Sequence, residues 1–195
     1  MAQPIQPPPP EFAASSLAEL ARFAEAGTLP PVDRWQPTHC GDSEMRIAAD
    51  GTWFHQGSPI GRAAMVRLFS TVLRREPDGS HVLVTPVEKL DIVVDDAPFT
   101  AVELRAEGSS KDRRLAFRLN TGDIVVAGPE HPLRFAEHDD GPHPYLHVRG
   151  TIGNGLEALI VRSVYYELVG LALADDDDAP ALWSDGARFS LDPAS

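Results

Sequence analysis

Three arginines stand where a cation has no local reason to be. Arg62 opens "GRAAMVRLF", three and four residues before Met65 and Val66, on the apolar side of a predicted helix. Arg149 closes "YLHVR", and Arg162 lies within the apolar run "GLEALIVRSVYYELV". An arginine near a helix N-terminus opposes the helix dipole by ~0.3–1 kcal/mol unless an anion or an acid offsets it. Anion recognition uses these same parts: free N–H groups at a helix start, a guanidinium fork, and glycines such as Gly57 and Gly61 that admit close approach. The competing reading of each arginine is structural, with the side chain snorkelling to solvent or paired to a carboxylate. Trp53, Tyr145 and Tyr166 could stack on a ligand ring, and His55 and His147 stand beside the same segments.

Other chemistry is poorly supported. His131, His138, His143 and His147, with Asp139 and Asp140, have the side chains of metal ligands but no standard spacing, and Pro132, Pro142 and Pro144 break the segment into a predicted solvated loop. We therefore expect no metal and no cofactor. Cys40 next to His39 is not a catalytic dyad, because chain neighbours rarely face each other. "GTIGNG" follows a strand and precedes a helix, yet its glycines do not match GxGxxG. Neither GxSxG nor HExxH occurs. An enzyme would draw its acid or base from His55, His147, Glu88 or Glu157, with no nucleophile placed beside one, so the sequence leans away from catalysis.

The charge balance narrows the partners. Seventeen Lys and Arg face 29 Asp and Glu, a formal net charge of −12. That field repels phosphate polymers and anionic lipid surfaces, which argues against nucleic acid and membrane partners. A single cysteine excludes an intrachain disulfide, and the start lacks the pattern of a signal peptide. No run approaches the ~20 apolar residues of a membrane span. A cytoplasmic location is expected.

The elements that must position these groups form an α+β chain. Residues 1–14 read as a disordered Pro-rich arm. Residues 15–86 read as an N-terminal α+β domain, and 87–195 as a C-terminal α+β domain with an antiparallel sheet. Ser16 with Glu19 forms a capping box for a first helix that Gly27 ends. Asp50-Gly51, Asp78-Gly79 and Asp185-Gly186 mark hairpins. "KLDIVVDD", "FTAVELRAE", "RRLAFRLN" and "DIVVAG" read as an antiparallel meander, and "PEHPLRFAEHDDGPHP" as irregular. One helix is expected over 61–73, with Met65, Val66, Phe69, Val72 and Leu73 inward. A second is expected over 156–173, apolar around nearly its whole circumference and therefore buried on all sides.

"HQGSPIGR" overlays "HVRGTIGN", bringing His55 onto His147 and Gly61 onto Gly153, so two related β-helix-β units are expected. The stretch "DGTWFHQGSPIGRAAMVRLFSTVLRREPDGSHVLVTPVEKLDIVVDDAPF" resembles the bacterial domain-of-unknown-function family 1285, and "YLHVRGTIGNGLEALIVRSVYYELV" is similar to its second signature block. Here "GTIGN" separates Arg149 from Gly155, where the family pattern runs directly into "GLEA". The resemblance implies a duplicated α+β core, a C-terminal domain loosely like a pleckstrin-homology fold, a nucleotide-like ligand between the domains, and a role in signalling. The expected function is a non-catalytic module for a small anionic ligand held by Arg62, Arg149 and Arg162. A protein–protein adaptor is the alternative.

Overall fold

The structure, a computed structural model, describes residues 29–139, 141–174 and 181–191. The Pro-rich arm, the helix after Ser16, Asp140 and the acidic run after Ala174 lie outside the described residues. The chain divides into two units. One holds the residues up to Arg46 with Trp53–Val93, and the other holds Ile47–Thr52 with the residues from Val94 onward.

In the first unit, strands β1 (His39–Ile47), β2 (Trp53–His55) and β3 (Ser58–Pro59) precede helix α1 (Ala63–Thr71). Strands β4 (Leu73–Arg75), β5 (His81–Val84) and β6 (Glu88–Val94) follow it, and the sheet order is β3-β2-β1-β6-β5-β4. The turn β2–β3 is tight because Gln56 and Gly57 both take positive φ, 49° and 76°, as a two-residue hairpin of this type requires. Helix α1 is shorter than expected: Leu68 is its buried apolar residue, Met65 and Val66 are half-buried, and Leu73 already belongs to β4. The hydroxyls of Ser70 and Thr71 donate back to Arg67 O and Leu68 O, both 2.7 Å, in the last turn. Because β6 pairs with β5, the boundary lies near Val93 and Val94, not at the expected 86–87.

His81 is half-buried on β5, and burial with nearby Arg75 pushes its imidazole down to about 4. It folds neutral, so below its unfolded value the unfolded chain binds the extra proton. The stabilisation is full above about pH 6.5 and is lost as pH falls through about 4. Allowing for solvent screening, the loss is about 1–2 kcal/mol. Urea unfolding at pH 7 and pH 4 should show His81→Gln losing less stability on acidification than the native chain; equal losses would show that His81 is not the sensor.

The second unit contains β7 (Phe99–Glu107), β8 (Arg114–Leu119), β9 (Ile124–Val126), β10 (Leu133–His138), β11 (Gly141–Arg149) and β12 (Leu156–Ile160). Helix α2 (Arg162–Ala174) and the hairpin β13 (Ala181–Ser184)–β14 (Ala187–Ser190) complete it. The sheet order is β10-β11-β12-β7-β8-β9, and β12 runs parallel to β7 at its centre. The sheet is therefore mixed. Phe99, Leu115, Phe117, Leu119, Leu146, Ile160 and Leu168 are buried. Ser184 Oγ accepts from Leu115 N at 2.8 Å and donates to Ala127 O at 2.7 Å, which ties the terminal hairpin to the main sheet.

Three expectations fail here for identifiable reasons. "LEALI" is a strand, not helix: Leu156, Ala158 and Ile160 are buried while Glu157 and Leu159 are half-buried, a period of two, and β11 and β7 flank it. Helix α2 buries only the stripe Val164, Leu168 and Ala172, so it is not enclosed on all sides. Likewise "LRFAEH" and "GPHPYLHVR" form a regular antiparallel pair from Leu133↔Leu146 to His138↔Gly141. Pro142 and Pro144 share one parity and precede Tyr145, where β11 starts to pair with β12, so they can be accommodated without loss of a ladder bond.

Counted from its own first strand, each sheet reads 3-2-1-6-5-4. First and last strands are parallel neighbours in both. In the first unit Gly41 approaches Leu90 and Ser43 Oγ donates to Asp91 O, contacts that climb together along β1 and β6. The helices break the correspondence, since α1 lies between the third and fourth strands and α2 follows the sixth. Overlaying His55 on His147 therefore matches a second-to-third hairpin with a fifth-to-sixth connection. The two units are similar sheets, but not in the register of that overlay.

Candidate functional site

Arg162 is exposed and is the first residue of α2, whose first turn holds no acid. Tyr165 N donates to Val161 O at 3.0 Å, so the amides of Arg162, Ser163 and Val164 precede the first intrahelical bond. Tyr166 follows one turn later on the same face and is 62% exposed. Arg162 and Tyr166 are four residues apart, with Cβ atoms about 5–6 Å apart, so a guanidinium and an accessible aromatic ring share one helix face near its positive end. The guanidinium, the open amides and the helix end suit an anion, and the ring suits a flat base. Among the described residues Arg162 has no ion-pair partner. Arg62 repeats part of this arrangement as the exposed N-cap of α1, again without an acid in the first turn or a side-chain capping bond.

Other expected site residues fall elsewhere. Trp53 is 1% exposed and stacks on Phe69 with centroids 6.3 Å apart, so it is core and cannot stack on a ligand. His55 is exposed, opposite Ser58 in the β2–β3 hairpin. Arg149 is half-buried with its guanidinium 5.6 Å from the Phe99 ring centroid. It pairs with Leu156 at the start of β12, whereas Arg162 lies beyond the other end, about 20 Å away at ~3.3 Å per residue. The backbone thus sets these two arginines at opposite ends of β12.

Tyr145 and His147 belong to a denser polar face on β10, β11 and β12. Arg134 donates to Glu157 through Nε at 3.0 Å and Nη2 at 2.7 Å, and its guanidinium lies 4.3 Å from the Tyr145 ring centroid. The Glu157 carboxylate holds the Arg134 guanidinium above its ordinary value. Tyr145 is buried, and its hydroxyl donates to Asp96 Oδ1 at 2.7 Å with His138 Nε2 at 3.2 Å. Burial, then the Asp96 carboxylate, push the Tyr145 phenol up. His138 and His143 stack with centroids 4.1 Å apart, and His143 Nδ1 lies 3.6 Å from Asp96 Oδ2. His147 is buried, its ring Nε2 3.2 Å from Gly150 O, and desolvation pulls its pKa down. No three His, Cys, Asp or Glu side chains among the described residues are placed to share a metal ion. Arg134 was missed because its segment reads as a loop, which the β10–β11 pairing overturns. Asp96 lies past the end of β6 and carries no sequence signal, and His138 was read only as a possible metal ligand.

Two family models cover most of the chain: domain of unknown function (DUF1285), N-terminal domain, over residues 30–97, and protein of unknown function (DUF1285), C-terminal domain, over 98–191. The chain belongs to the DUF1285 family. A DUF1285 family protein from Silicibacter pomeroyi DSS-3 has a crystal structure that is 46% identical, with TM-score 0.78, covering 91% of this chain and 95% of that one. A second DUF1285 crystal structure, from Shewanella baltica OS155, is 26% identical with TM-score 0.50, covering 65% of this chain and 90% of that one. Among curated proteins, Ribonuclease 3 of Corynebacterium jeikeium (strain K411) is 25% identical over 131 residues, 63% of this chain and 54% of that enzyme's length. The boundary between the two DUF1285 models lies between β6 and β7, close to the division of the units. Among the described residues no helix is long and apolar enough to cross a membrane.

Proposed function

We propose that this DUF1285 protein is a non-catalytic binding module for a small anionic, nucleotide-like ligand, acting in bacterial signalling. The observation that supports this reading is the pairing of exposed Arg162, at an acid-free helix start, with exposed Tyr166 one turn along. In a chain of net charge −12, an arginine at that helix end gains most from a phosphate. Arg62 is a second anchor of the same kind. The second unit, a six-stranded sheet followed by a helix, is read as loosely pleckstrin-homology-like. The likeness to a ribonuclease does not extend the reading to RNA, because the same net charge repels a phosphate polymer.

An adaptor without a small ligand is the second reading, favoured by Leu173, exposed on the same face of α2 two turns along from Tyr166. A thermal-shift series with adenosine and guanosine mono- and triphosphates separates the two. A ligand present at 100 times its Kd stabilises by ~2.7 kcal/mol, which raises the melting point by several degrees. Arg162→Ala should lose that rise while melting normally without ligand. No rise with any nucleotide at millimolar concentration would favour the adaptor.

A further inference from the structure

The loop between β11 and β12 closes on one buried side chain. Residues 150–153 are exposed and Asn154 is half-buried, so no apolar side chain of the loop anchors it in the core. Its anchor is His147. The ring is 5% exposed, and its Nε2 lies 3.2 Å from Gly150 O. A carbonyl oxygen only accepts, so Nε2 carries the proton and donates it. At the far end of the loop a Cβ on Gly155 would run into the same ring, so the imidazole touches both ends of the segment. His131 Nδ1 donates to His147 O at 3.1 Å, which fixes the strand from the other side. Adding a second proton to the ring is opposed by burial first, and then by His131, stacked 6.2 Å away. The Gly150 carbonyl favours the proton, as does Glu157 opposite His147 on β12, but that carboxylate already serves Arg134. Arg149 lies over Phe99, and residues 150–155 carry no titratable side chain.

We propose that His147 is an acid-released latch: neutral, it holds the loop 150–155 closed, and protonated, it leaves its buried position and lets the loop open while the sheet stays folded. The sign follows from burial. The closed-state value lies below the ordinary 6.5, so the open loop binds the extra proton. Closure is fully supported above about pH 6.5 and weakens as pH falls toward the closed-state value, the open fraction rising by up to about tenfold per pH unit. Below that value the rise levels off. The loop opens before the sheet because a segment without buried apolar side chains opens at low cost.

The test is amide hydrogen exchange in the intact chain at pH 7.5 and pH 5, read residue by residue by NMR and corrected for the intrinsic pH dependence of exchange. Two amides serve as reporters. Asn154 N–H donates to Thr151 O at 3.0 Å inside the loop, and Val161 N–H donates to Ala101 O at 3.1 Å beside the sheet. On acidification the protection of Asn154 should fall several-fold more than that of Val161, so that any general loss of stability cancels. His147→Gln, neutral at both pH values, should abolish that difference whether its loop is held closed or stands open. His147→Asn gives a second variant should the first fold poorly. Equal changes at Asn154 and Val161 in the native chain, or a selective response of Asn154 that survives in the variants, would overturn the proposal. Neither outcome bears on Arg162, so the nucleotide reading stands or fails separately.

Discussion

Replacing Trp53 with alanine is expected to destabilise the first unit by about 3–5 kcal/mol. The indole is 1% exposed and packs on Phe69, so its removal leaves a large cavity next to the α1 helix. The aromatic character of Trp53 suggested a ligand platform; its burial makes it a core residue instead. The two roles predict opposite results. A platform residue would lose ligand and keep stability, whereas a core residue loses stability first. Denaturant unfolding followed by far-ultraviolet circular dichroism measures this directly, and a loss below about 1 kcal/mol would return Trp53 to the candidate ligand residues.

Gly155→Ala is the second large effect, expected to cost about 2–3 kcal/mol. A Cβ there would run into Arg149 O and the His147 ring, and would lie 2.9 Å from Thr151 O. Two of these neighbours are backbone carbonyls that cannot swing aside. Gly153 is the control: its φ of 87° strains a side chain, but nothing lies within 4 Å of the new atom. Gly153→Ala should cost only about 1 kcal/mol. Equal melting points for the two variants would show that the connection between β11 and β12 is looser than its geometry indicates.

The turns were the most legible part of the sequence, because Asp-Gly pairs at 50–51, 78–79 and 185–186 report a local backbone requirement. Those three hairpins form as expected. Segments whose conformation depends on neighbours were less legible. "LEALI" fits a buried helix or a buried strand equally well by composition, and the flanking β11 and β7 decide it. The prolines of "GPHPYLHVR" suggested a loop, because strand interiors exclude proline only where both edges are paired. The arginines show the same limit. Arg62 was legible as a cation near a helix start, whereas Arg162 was expected well inside a helix over 156–173 and instead opens α2; both are exposed. Arg149 was not legible: its distance from Arg162 follows from the length of a strand that the sequence presented as helix.

The most direct test of the nucleotide reading is an NMR titration of the native chain with adenosine monophosphate, watching the Tyr166 ring protons and the Arg162 Nε resonance. Nucleotide binding at this helix start gives a saturable upfield shift at Tyr166 from ring stacking and a matching change at Arg162, and the Tyr166 shift is lost in Arg162→Ala. Saturable binding that moves other residues while Tyr166 and Arg162 stay unchanged would contradict it.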